Sequence, residues 1–396
     1  MPHFSPYPLA GRIMAKPKVL IVYGTRPEAI KLAPVVKAFK SDKRFKTVVA
    51  STGQHREMLQ QVNDMFGIKP NYDIGLMHKR QPLNRIMSRS LKGLDKLLEV
   101  ENPDVMIVQG DTTTAMAAAI AGFNREVKIV HLEAGLRSGD MTSPFPEEAN
   151  RKLIATVAAL HLAPTVSARE NLLKEGVERN QIVVTGNTVI DALEEASSWD
   201  VTFSSKRVQE FTEKDNRKVL VTTHRRENIH AVKHIGRAIA RLADKFPDVS
   251  FIIPVHLNPR VRKSIIPELK GHENVCITRP LPYDEFTHLI KASDLIVTDS
   301  GGIQEEAPSL GKPVLLMRDT SERPEAIDAG AVRLVGANEE TIVNEVSRLL
   351  TDQSEYDRMA RAINPYGDGR AAVRTVAAVS ELLGIGARVE QFNPNI

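Results

Sequence analysis

Short apolar runs alternate with helical patterns along most of the chain. Residues 18–23, KVLIVY, form an apolar run that ends at Gly24, which is typical of a strand buried on both faces. Residues 26–39 then place apolar side chains at helical spacing, with Pro27 in the first turn, where helices tolerate proline. Because strands that alternate with helices form parallel sheets covered on both faces, the pattern predicts an α/β fold. Further strands are predicted near residues 46–51, 105–109, 128–132, 160–163, 182–185, 219–223, 250–255, 275–278, 295–298, 313–317 and 332–335.

A polar stretch at residues 199–217 interrupts this alternation and divides the chain in two. We predict a doubly wound N-terminal domain over 16–198, a doubly wound C-terminal domain over 218–367, and a linker between them. Residues 1–15 carry three prolines and no apolar periodicity, so we expect a disordered extension outside the fold. Open parallel sheets bind ligands beyond the carboxyl ends of their strands, so the predicted site is the cleft between the two domains.

Composition and charge exclude several classes of protein. Lys and Arg number 53 against 49 Asp and Glu, without a basic run, and aromatic residues make up only 5%, so a nucleic-acid-binding protein is disfavoured. No apolar run approaches the roughly 18–20 residues of a membrane span, so we expect no membrane partner. The single cysteine, Cys276, excludes a disulfide framework and suits a reducing compartment, which indicates a cytoplasmic protein.

The first candidate for ligand binding is the turn after the first strand. Gly24 permits a tight turn, and a helix that begins at once offers backbone N–H groups to an anion, with Arg26 and Lys31 nearby. The alternative is an ordinary turn with surface charges. Neither GxGxxG nor the P-loop pattern GxxxxGK[ST] occurs, so we expect no nicotinamide cofactor and no P-loop nucleotide site.

Three acidic residues follow strands or loops of the first half. Asp111 opens a helix and could serve only as its cap, whereas Glu133 ends a strand where Gly135 indicates a loop. Glu147 lies four residues before Arg151, which is also the spacing of an ordinary helical ion pair. Each acid alone has a structural explanation, but three of them at such positions favour a catalytic set.

The second half carries a glycine turn with the strongest local signal in the chain. Ser300, Gly301 and Gly302 lie between a strand and a helix, where bare N–H groups can approach a phosphate. Glu306 follows one turn later and could accept hydrogen bonds from ribose hydroxyls, and Arg323 begins another helix and could add charge to the same diphosphate. The alternative is a flexible turn before an acidic helix start.

Three histidines near the start of the second half suggest a metal site at first sight. His224, His230 and His234 are closely spaced, but the chain has no HExxH pattern and no obvious carboxylate as third ligand. Helix histidines that face solvent are the simpler explanation. We therefore predict no metal.

Nine ordered motifs resemble the bacterial non-hydrolysing UDP-N-acetylglucosamine 2-epimerases. They are GTRPEAIK (24–31), GDTTT (110–114), HLEAGLR (131–137), SPFPEEANR (143–151), THRREN (223–228), PVHLNP (254–259), TDSGGIQEEAPSLGKP (298–313), RDTSERPE (318–325) and NPYGDG (364–369). The similarity covers roughly residues 18–384. It implies the glycosyltransferase-B architecture of two Rossmann-like domains, with a helix over 368–384 that returns to the first domain and a tail over 385–396.

The resemblance also implies an activity. Members invert C2 of UDP-N-acetylglucosamine to give UDP-N-acetylmannosamine, by elimination of UDP, a bound 2-acetamidoglucal and re-addition of UDP. This supplies N-acetylmannosamine for cell-surface polysaccharides and needs no cofactor. Members are usually homodimers, and bacterial members carry a second, regulatory site for UDP-N-acetylglucosamine.

Matching motif positions assign roles to individual residues. The resemblance implies the catalytic residues Asp111, Glu133, Glu147 and His224 and the substrate-binding residues Arg26, Lys31, Arg151, Phe286, Ser300, Gly301, Gly302, Glu306 and Arg323. It implies the allosteric residues Gln54, Arg80, Gln81 and His256. Two neighbours of the regulatory set depart from the family pattern: Glu57 stands where some members have Gln, and Pro82 where Thr is common. Which acid deprotonates C2 stays open.

Three other functions remain as alternatives. A glycosyltransferase of the same fold would share the nucleotide-binding half and transfer the sugar to an acceptor. A hydrolysing epimerase would release UDP and free N-acetylmannosamine. A non-catalytic sensor would bind the sugar nucleotide without turnover, although the retained Asp111, Glu133, Glu147 and His224 argue against it.

Overall fold

The computed structural model describes residues 16–53, 56–75, 81–223, 231–321 and 323–394. Its described strands form two parallel sheets. The first is β1 (Lys18–Tyr23), β2 (Lys46–Ser51), β3 (Tyr72–Asp73), β4 (Val105–Gln109), β5 (Lys128–Leu132), β6 (Leu160–Ala163) and β7 (Ile182–Val184). The second is β8 (Lys218–Thr222), β9 (Ser250–Pro254), β10 (Val275–Thr278), β11 (Leu295–Thr298), β12 (Val314–Leu316) and β13 (Val332–Leu334).

Sixteen α-helices lie between or after these strands within the described ranges. They are α1 (Arg26–Ser41), α2 (Arg56–Phe66), α3 (Leu83–Glu101), α4 (Thr113–Asn124), α5 (Glu147–Val157), α6 (Val166–Lys174), α7 (Thr188–Ser197), α8 (Lys206–Glu213), α9 (Val232–Lys245), α10 (Pro259–Ile265), α11 (Tyr283–Ala292), α12 (Ile303–Ser309), α13 (Pro324–Asp328), α14 (Glu339–Thr351), α15 (Gln353–Ala360) and α16 (Ala371–Leu382). The predicted α/β fold with two doubly wound sheets is therefore confirmed. Of the described helices, none is both long and apolar enough to cross a bilayer.

Alternation along β1 explains why helices cover both faces of the first sheet. Val19 and Ile21 face a core shared with α1, α2, α7 and α16, whereas Leu20 and Val22 face a second core shared with α3, α4 and α5. Successive strand residues point to opposite faces, so a strand that is apolar throughout must be covered twice. Of the strands that the structure describes, the sequence prediction missed only β3, which has two residues at the edge of the sheet.

Both sheets reverse their winding direction beside their first strand. The first sheet has the order β3-β2-β1-β4-β5-β6-β7 and the second β10-β9-β8-β11-β12-β13. The loops that leave the carboxyl ends of neighbouring strands in opposite directions open a crevice at this point. The β1–α1 and β4–α4 turns of the first sheet and the β11–α12 turn of the second are therefore placed to form a common site.

The chain between the two sheets contains more than a polar connection. Within residues 199–217, α8 packs against β9 and β10 of the second sheet. Trp199 instead packs edge-on against Phe66 of the first core, with ring centroids 5.0 Å apart. The domain boundaries themselves stay a prediction.

The C-terminal part of the chain returns to the first sheet. α16 packs against α1 and α7. Beyond it, the Phe392 N–H donates to the Val184 carbonyl at 2.9 Å, and the Gln391 side-chain oxygen accepts from the Val184 N–H at 2.9 Å. The tail therefore lies along β7, the edge strand of the first sheet.

Candidate active site

A buried glutamate organises the turn that begins α1. Thr25 caps the helix, and the Glu28 carboxylate accepts the N–H groups of Gly24 at 3.0 Å and Thr25 at 2.6 Å. The Thr112 hydroxyl donates to the other Glu28 oxygen at 2.8 Å, which ties the β1–α1 turn to the β4–α4 turn. Burial raises the pKa of Glu28, although the hydrogen bonds it accepts act in the opposite direction. The prediction that this turn offers free N–H groups to an anion is wrong for Gly24 and Thr25, because Glu28 occupies both.

Glu133 lies at the end of β5 in a left-handed backbone conformation, with φ of 64°. Such a conformation costs a non-glycine residue about 1–3 kcal/mol and persists only where surrounding contacts enforce it. Lys31 Nζ supplies two of those contacts, at 2.6 and 2.7 Å from the carboxylate oxygens, and the Gln109 side-chain amide donates a third. This geometry fixes Glu133 against α1.

The Lys31–Glu133 pair is held in its charged form. Burial opposes the charge on Lys31, but the adjacent Glu133 carboxylate outweighs it and raises the pKa of Lys31. Burial likewise opposes the charge on Glu133, yet the charge and hydrogen bonds of Lys31 hold the pKa of Glu133 below its ordinary value. Glu133 is therefore a fixed anion beside a fixed cation.

Asp111 follows β4 and has the opposite electrostatic character. Burial raises the pKa of Asp111, although Arg151 contacts its carboxylate at 2.5 Å and acts in the other direction. Arg151 also donates to Glu148 at 2.7 Å, and Glu148 in turn accepts the Ser138 N–H at 3.1 Å. Arg151 thus pairs with Asp111 and Glu148, so the ordinary helical pair between Glu147 and Arg151 that we considered does not form.

Glu147 is the first residue of α5 and has an unsatisfied oxygen. Its Oε2 atom is buried and has no hydrogen-bond partner among the residues that the structure describes. A buried carboxylate oxygen without a partner is rare and calls for a functional explanation.

Across the crevice, Gln304 ties two loops of the second sheet together. Its side-chain nitrogen donates to the Ser300 carbonyl at 3.2 Å, and its oxygen accepts from the Ser321 hydroxyl at 2.7 Å. The Arg323 N–H donates to the same Ser321 hydroxyl at 3.0 Å. The Ser300 N–H itself donates to the Thr298 hydroxyl at 3.0 Å. Contrary to the prediction, the Ser300 N–H is therefore not free to bind a phosphate.

Two adjacent glutamates in α12 have different roles. Glu305 is buried and accepts hydrogen bonds from Arg323 and, at 2.6 Å, from Asn187. Glu306 lies beside the crevice, where burial and the charge of Glu305 raise its pKa to about 8. At neutral pH the Glu306 carboxyl is therefore mostly protonated and can donate as well as accept a hydrogen bond.

A cleft of about 660 Å³ lies between the two sheets. Eight of the predicted residues line it: Arg26, Lys31, His256, Phe286, Ser300, Gly302, Glu306 and Arg323. The predicted acids Asp111, Glu133 and Glu147 and the predicted Arg151 and Gly301 are not part of its lining. Lys31 connects the two groups, because it lines the cleft and contacts Glu133 behind it.

Some predicted residues cannot be placed in this geometry. His224, Gln54 and Arg80 lie outside the described residues. Gln81 is described but does not line the cleft. Within the described ranges, no group of three or more His, Cys, Asp or Glu side chains is arranged to hold a metal ion.

Sequence reasoning missed several residues that build the site. Glu28 had a readable signal, since Thr25 and Glu28 form the T-x-x-E pattern of a capping box. Glu148 had a partial signal, since Arg151 follows it at helical spacing. Asn187 and Glu305 had none, because they meet across 118 positions of the chain.

Comparisons with known proteins agree with this geometry. Residues 37–380 match the Epimerase_2 family, described as UDP-N-acetylglucosamine 2-epimerase. The chain is 50% identical over 368 residues to the UDP-N-acetylglucosamine 2-epimerase of Yersinia pestis, covering 91% of this chain and 98% of that protein. It is 49% identical over 372 residues to the enzyme of the same name from Escherichia coli K12, covering 91% and 98%.

Solved structures show the same relationship. The crystal structure of UDP-GlcNAc 2-epimerase from Neisseria meningitidis bound to UDP-GlcNAc has a TM-score of 0.83 and 44% identity, covering 92% of this chain and 100% of that chain. A glycosyltransferase from Rickettsia africae has a TM-score of 0.61 at 14% identity, covering 93% and 99%, which shows a shared fold alone. The glycosyltransferase-B architecture expected from the sequence is thereby confirmed. The chain belongs to the UDP-N-acetylglucosamine 2-epimerase family.

Proposed function

We propose that this protein interconverts UDP-N-acetylglucosamine and UDP-N-acetylmannosamine by inverting C2 of the sugar. The C2 proton has no adjacent carbonyl group, so direct removal would be slow. Elimination avoids this problem: the C1–O bond breaks, UDP leaves, the C2 proton is taken up by a carboxylate, and a bound 2-acetamidoglucal forms. UDP then adds back to C1 while a proton arrives at the other face of C2.

The observation that carries this proposal is the opposed environment of two neighbouring acids. Burial raises the pKa of Asp111, whereas Lys31 holds that of Glu133 low. Two carboxyl groups whose pKa values are shifted in opposite directions can act as the acid and the base of one reaction. Asp111, whose carboxylate pairs with Arg151, is suited to exchange a proton at one face of C2, and Glu147, with its unpartnered buried oxygen, is suited to serve the opposite face. Because the reaction is reversible, each acid both gives and takes the proton.

The cationic groups of the cleft support the departure of UDP. Arg26, Lys31 and Arg323 line one cavity that both sheets share. Proton transfer by positioned groups contributes only about 10²–10⁴-fold, so stabilisation of the departing diphosphate must supply much of the remaining acceleration. In this proposal Glu306 binds the ribose and Phe286 contacts the uracil, while His224 completes the catalytic set.

We extend the proposal to regulation by the substrate. His256 is exposed and lines the same cleft, so a second sugar nucleotide that contacts it would adjoin the catalytic one. Gln54, Arg80 and Gln81 would complete this regulatory site.

We also propose a homodimer. Exposed apolar side chains on α3, α4 and α5, namely Val100, Phe123 and Leu153, support contact with a second copy through this face of the first sheet. The cytoplasm, where sugar nucleotides are made, would be its location, and N-acetylmannosamine for cell-surface polysaccharides its product.

Incubation with UDP-N-acetylglucosamine in heavy water tests the reaction. Both epimers are expected to acquire deuterium at C2, because the proton is exchanged with solvent through the carboxyl groups. Mass spectrometry and proton NMR report the exchange. Protein that binds the sugar nucleotide but leaves C2 unlabelled would contradict the proposal. Net accumulation of UDP would identify a hydrolysing enzyme instead, and transfer to an added alcohol would identify a glycosyltransferase.

A further inference from the structure

The side-chain amide of Asn187 lies between a carboxylate of each sheet. Its nitrogen donates to Glu305 Oε2 at 2.6 Å and lies 3.4 Å from Glu133 Oε1. All three residues are buried, with exposures of 3%, 3% and 8% for Asn187, Glu305 and Glu133. Asn187 thus contacts both Glu133, which pairs with Lys31, and Glu305, which pairs with Arg323.

The orientation of this amide is fixed by its other contacts. Asn187 caps α7, and its side-chain oxygen accepts the Val189 N–H at 3.1 Å. Its backbone N–H donates to the Tyr366 carbonyl at 2.6 Å, where the chain returns from the second sheet. A reversed amide would place NH₂ against the Val189 N–H and an oxygen against two carboxylates. Both amide hydrogens are therefore available to the acids.

We propose that Asn187 is a positioning residue that couples the proton-handling acids of the first sheet to the diphosphate clamp of the second. This inference rests on the proposed function, since it takes Glu133 and Arg323 as parts of that machinery. Two buried carboxylates so close together repel one another, and the amide gives each of them a donor. Asn187 thereby holds Glu133 ionised in its strained conformation and fixes the distance from it to Glu305 and Arg323.

Two substitutions separate this role from that of a helix cap. Ser and Asp both cap helices about as well as Asn, so a residue that only caps α7 tolerates either. The coupling needs two hydrogen-bond donors from the amide. The Ser hydroxyl offers only one donor, and an ionised Asp carboxylate offers none. Asp also adds a third negative charge between Glu133 and Glu305. If Asn187 only caps α7, the kcat of N187D should equal or exceed that of N187S. If Asn187 couples the two acids, the kcat of N187D should be much lower than that of N187S.

The experiment compares N187S and N187D with N338S and N338D. Asn338 is an exposed cap of α14 whose side-chain oxygen accepts the Thr341 N–H at 3.1 Å, so it matches the capping role without the acids. We expect kcat to fall about 10- to 100-fold in N187S, the effect of one lost hydrogen bond to a charged group, and further in N187D. KM should change by less than about threefold, because Asn187 does not line the cleft. Both Asn338 variants should retain wild-type kcat.

The pH profile of kcat supplies a readout that a cap would not move. With one donor to Glu133 removed, protonation of that acid becomes easier, so the acid limb of the N187S profile should shift to higher pH. The charged and titratable groups that act on Glu133 and its neighbours are otherwise unchanged: Lys31, Asp111, Glu305, Glu306 and Arg323. Circular dichroism and thermal unfolding establish that each variant is folded.

Two results would overturn the inference. One is an N187S protein with wild-type kcat and pH profile, and the other is an N187D protein at least as active as N187S. If N187D does not fold, kcat and the pH profile of N187S decide alone. The wild-type protein must first exchange the C2 proton; if it does not, it is the proposed function that fails, and the two failures are thereby distinguished.

Discussion

The two sheets contribute to the cleft in different ways. On the first sheet, buried charges already have partners: Lys31 with Glu133, and Arg151 with Asp111. On the second sheet one buried pair, Arg323 with Glu305, lines the cleft together with loops, and Gln304 joins two of these loops through neutral hydrogen bonds. An acid that handles a proton needs a fixed position and a tuned pKa, whereas loops that surround a nucleotide need room to close on it. The first sheet thus contributes mainly paired buried charges to the site, and the second contributes mainly the loops that surround the cleft.

The largest expected effect comes from removing the fixed anion of the first half. We expect E133Q to lower kcat by about 10³-fold and to abolish C2 exchange, because Lys31 loses its partner and the neighbouring acids lose their electrostatic balance. UDP affinity, measured by calorimetry, should remain close to that of the wild type. E101Q is the matched control, since Glu101 pairs with Lys18 at the opposite end of β1. An E133Q protein that loses UDP binding rather than turnover would contradict the division between the halves.

An intermediate effect is expected in the second half. R323A should weaken UDP binding about 10- to 100-fold, because a charge-assisted contact to the diphosphate is lost and Glu305 is left without its guanidinium. R333A is the control, because Arg333 also pairs with glutamates of the second domain but lies away from the cleft. R333A should lower the unfolding temperature and leave the UDP dissociation constant unchanged. Equal loss of UDP affinity in both variants would mean that general destabilisation, and not the clamp, explains the result.

The smallest effect concerns the pH dependence of stability, which has opposite signs for Glu306 and Glu133. The folded pKa of Glu306 is about 8 against an ordinary value of 4.5, so between these values the unfolded chain ionises while the folded protein keeps its proton. Stability of the ligand-free protein therefore falls as pH rises from about 4.5 to 8 through this group. Glu133 has a lowered pKa and has the opposite effect. Its contribution to the stability of the folded protein is lost as pH falls through its folded pKa.

E306Q tests the sign. The amide cannot ionise, so the variant should unfold roughly 2–4 °C above the wild type at pH 8, with the difference shrinking toward pH 5. Calorimetric scans of both ligand-free proteins provide the measurement. A constant difference across this range would show that Glu306 titrates normally.

The sequence predicted the fold well because strands that are buried on both faces consist of consecutive apolar residues. Continuous apolar runs predicted the central strands, since these are buried on both faces, while β3 was missed because two paired residues leave no pattern. Asp111 and Glu133 could be grouped as well, because the ends of neighbouring parallel strands meet at one edge of a sheet.

The contacts among site residues were less predictable. Asn187 and Glu305 are 118 positions apart, and nothing local to either residue reveals that they meet. The N–H groups of Gly24 and Thr25 after β1 are not free for a different reason. The spacing of Glu28 from Thr25 marks a capping box, and the Glu28 carboxylate accepts both groups. Composition and periodicity thus describe elements, whereas the pairing of buried charges depends on how the elements meet.

The tail along β7 has a consequence for handling the protein. An edge strand exposes unpaired backbone groups that another chain can extend into a continuous sheet, a common route to aggregation. Gln391 and Phe392 occupy both outward-facing groups of Val184 and so block that route at this position. Proteolytic removal of Gln391 and Phe392 would expose this edge. A C-terminal fusion would be attached next to the segment that covers the edge, so an affinity tag is better placed at the other end of the chain.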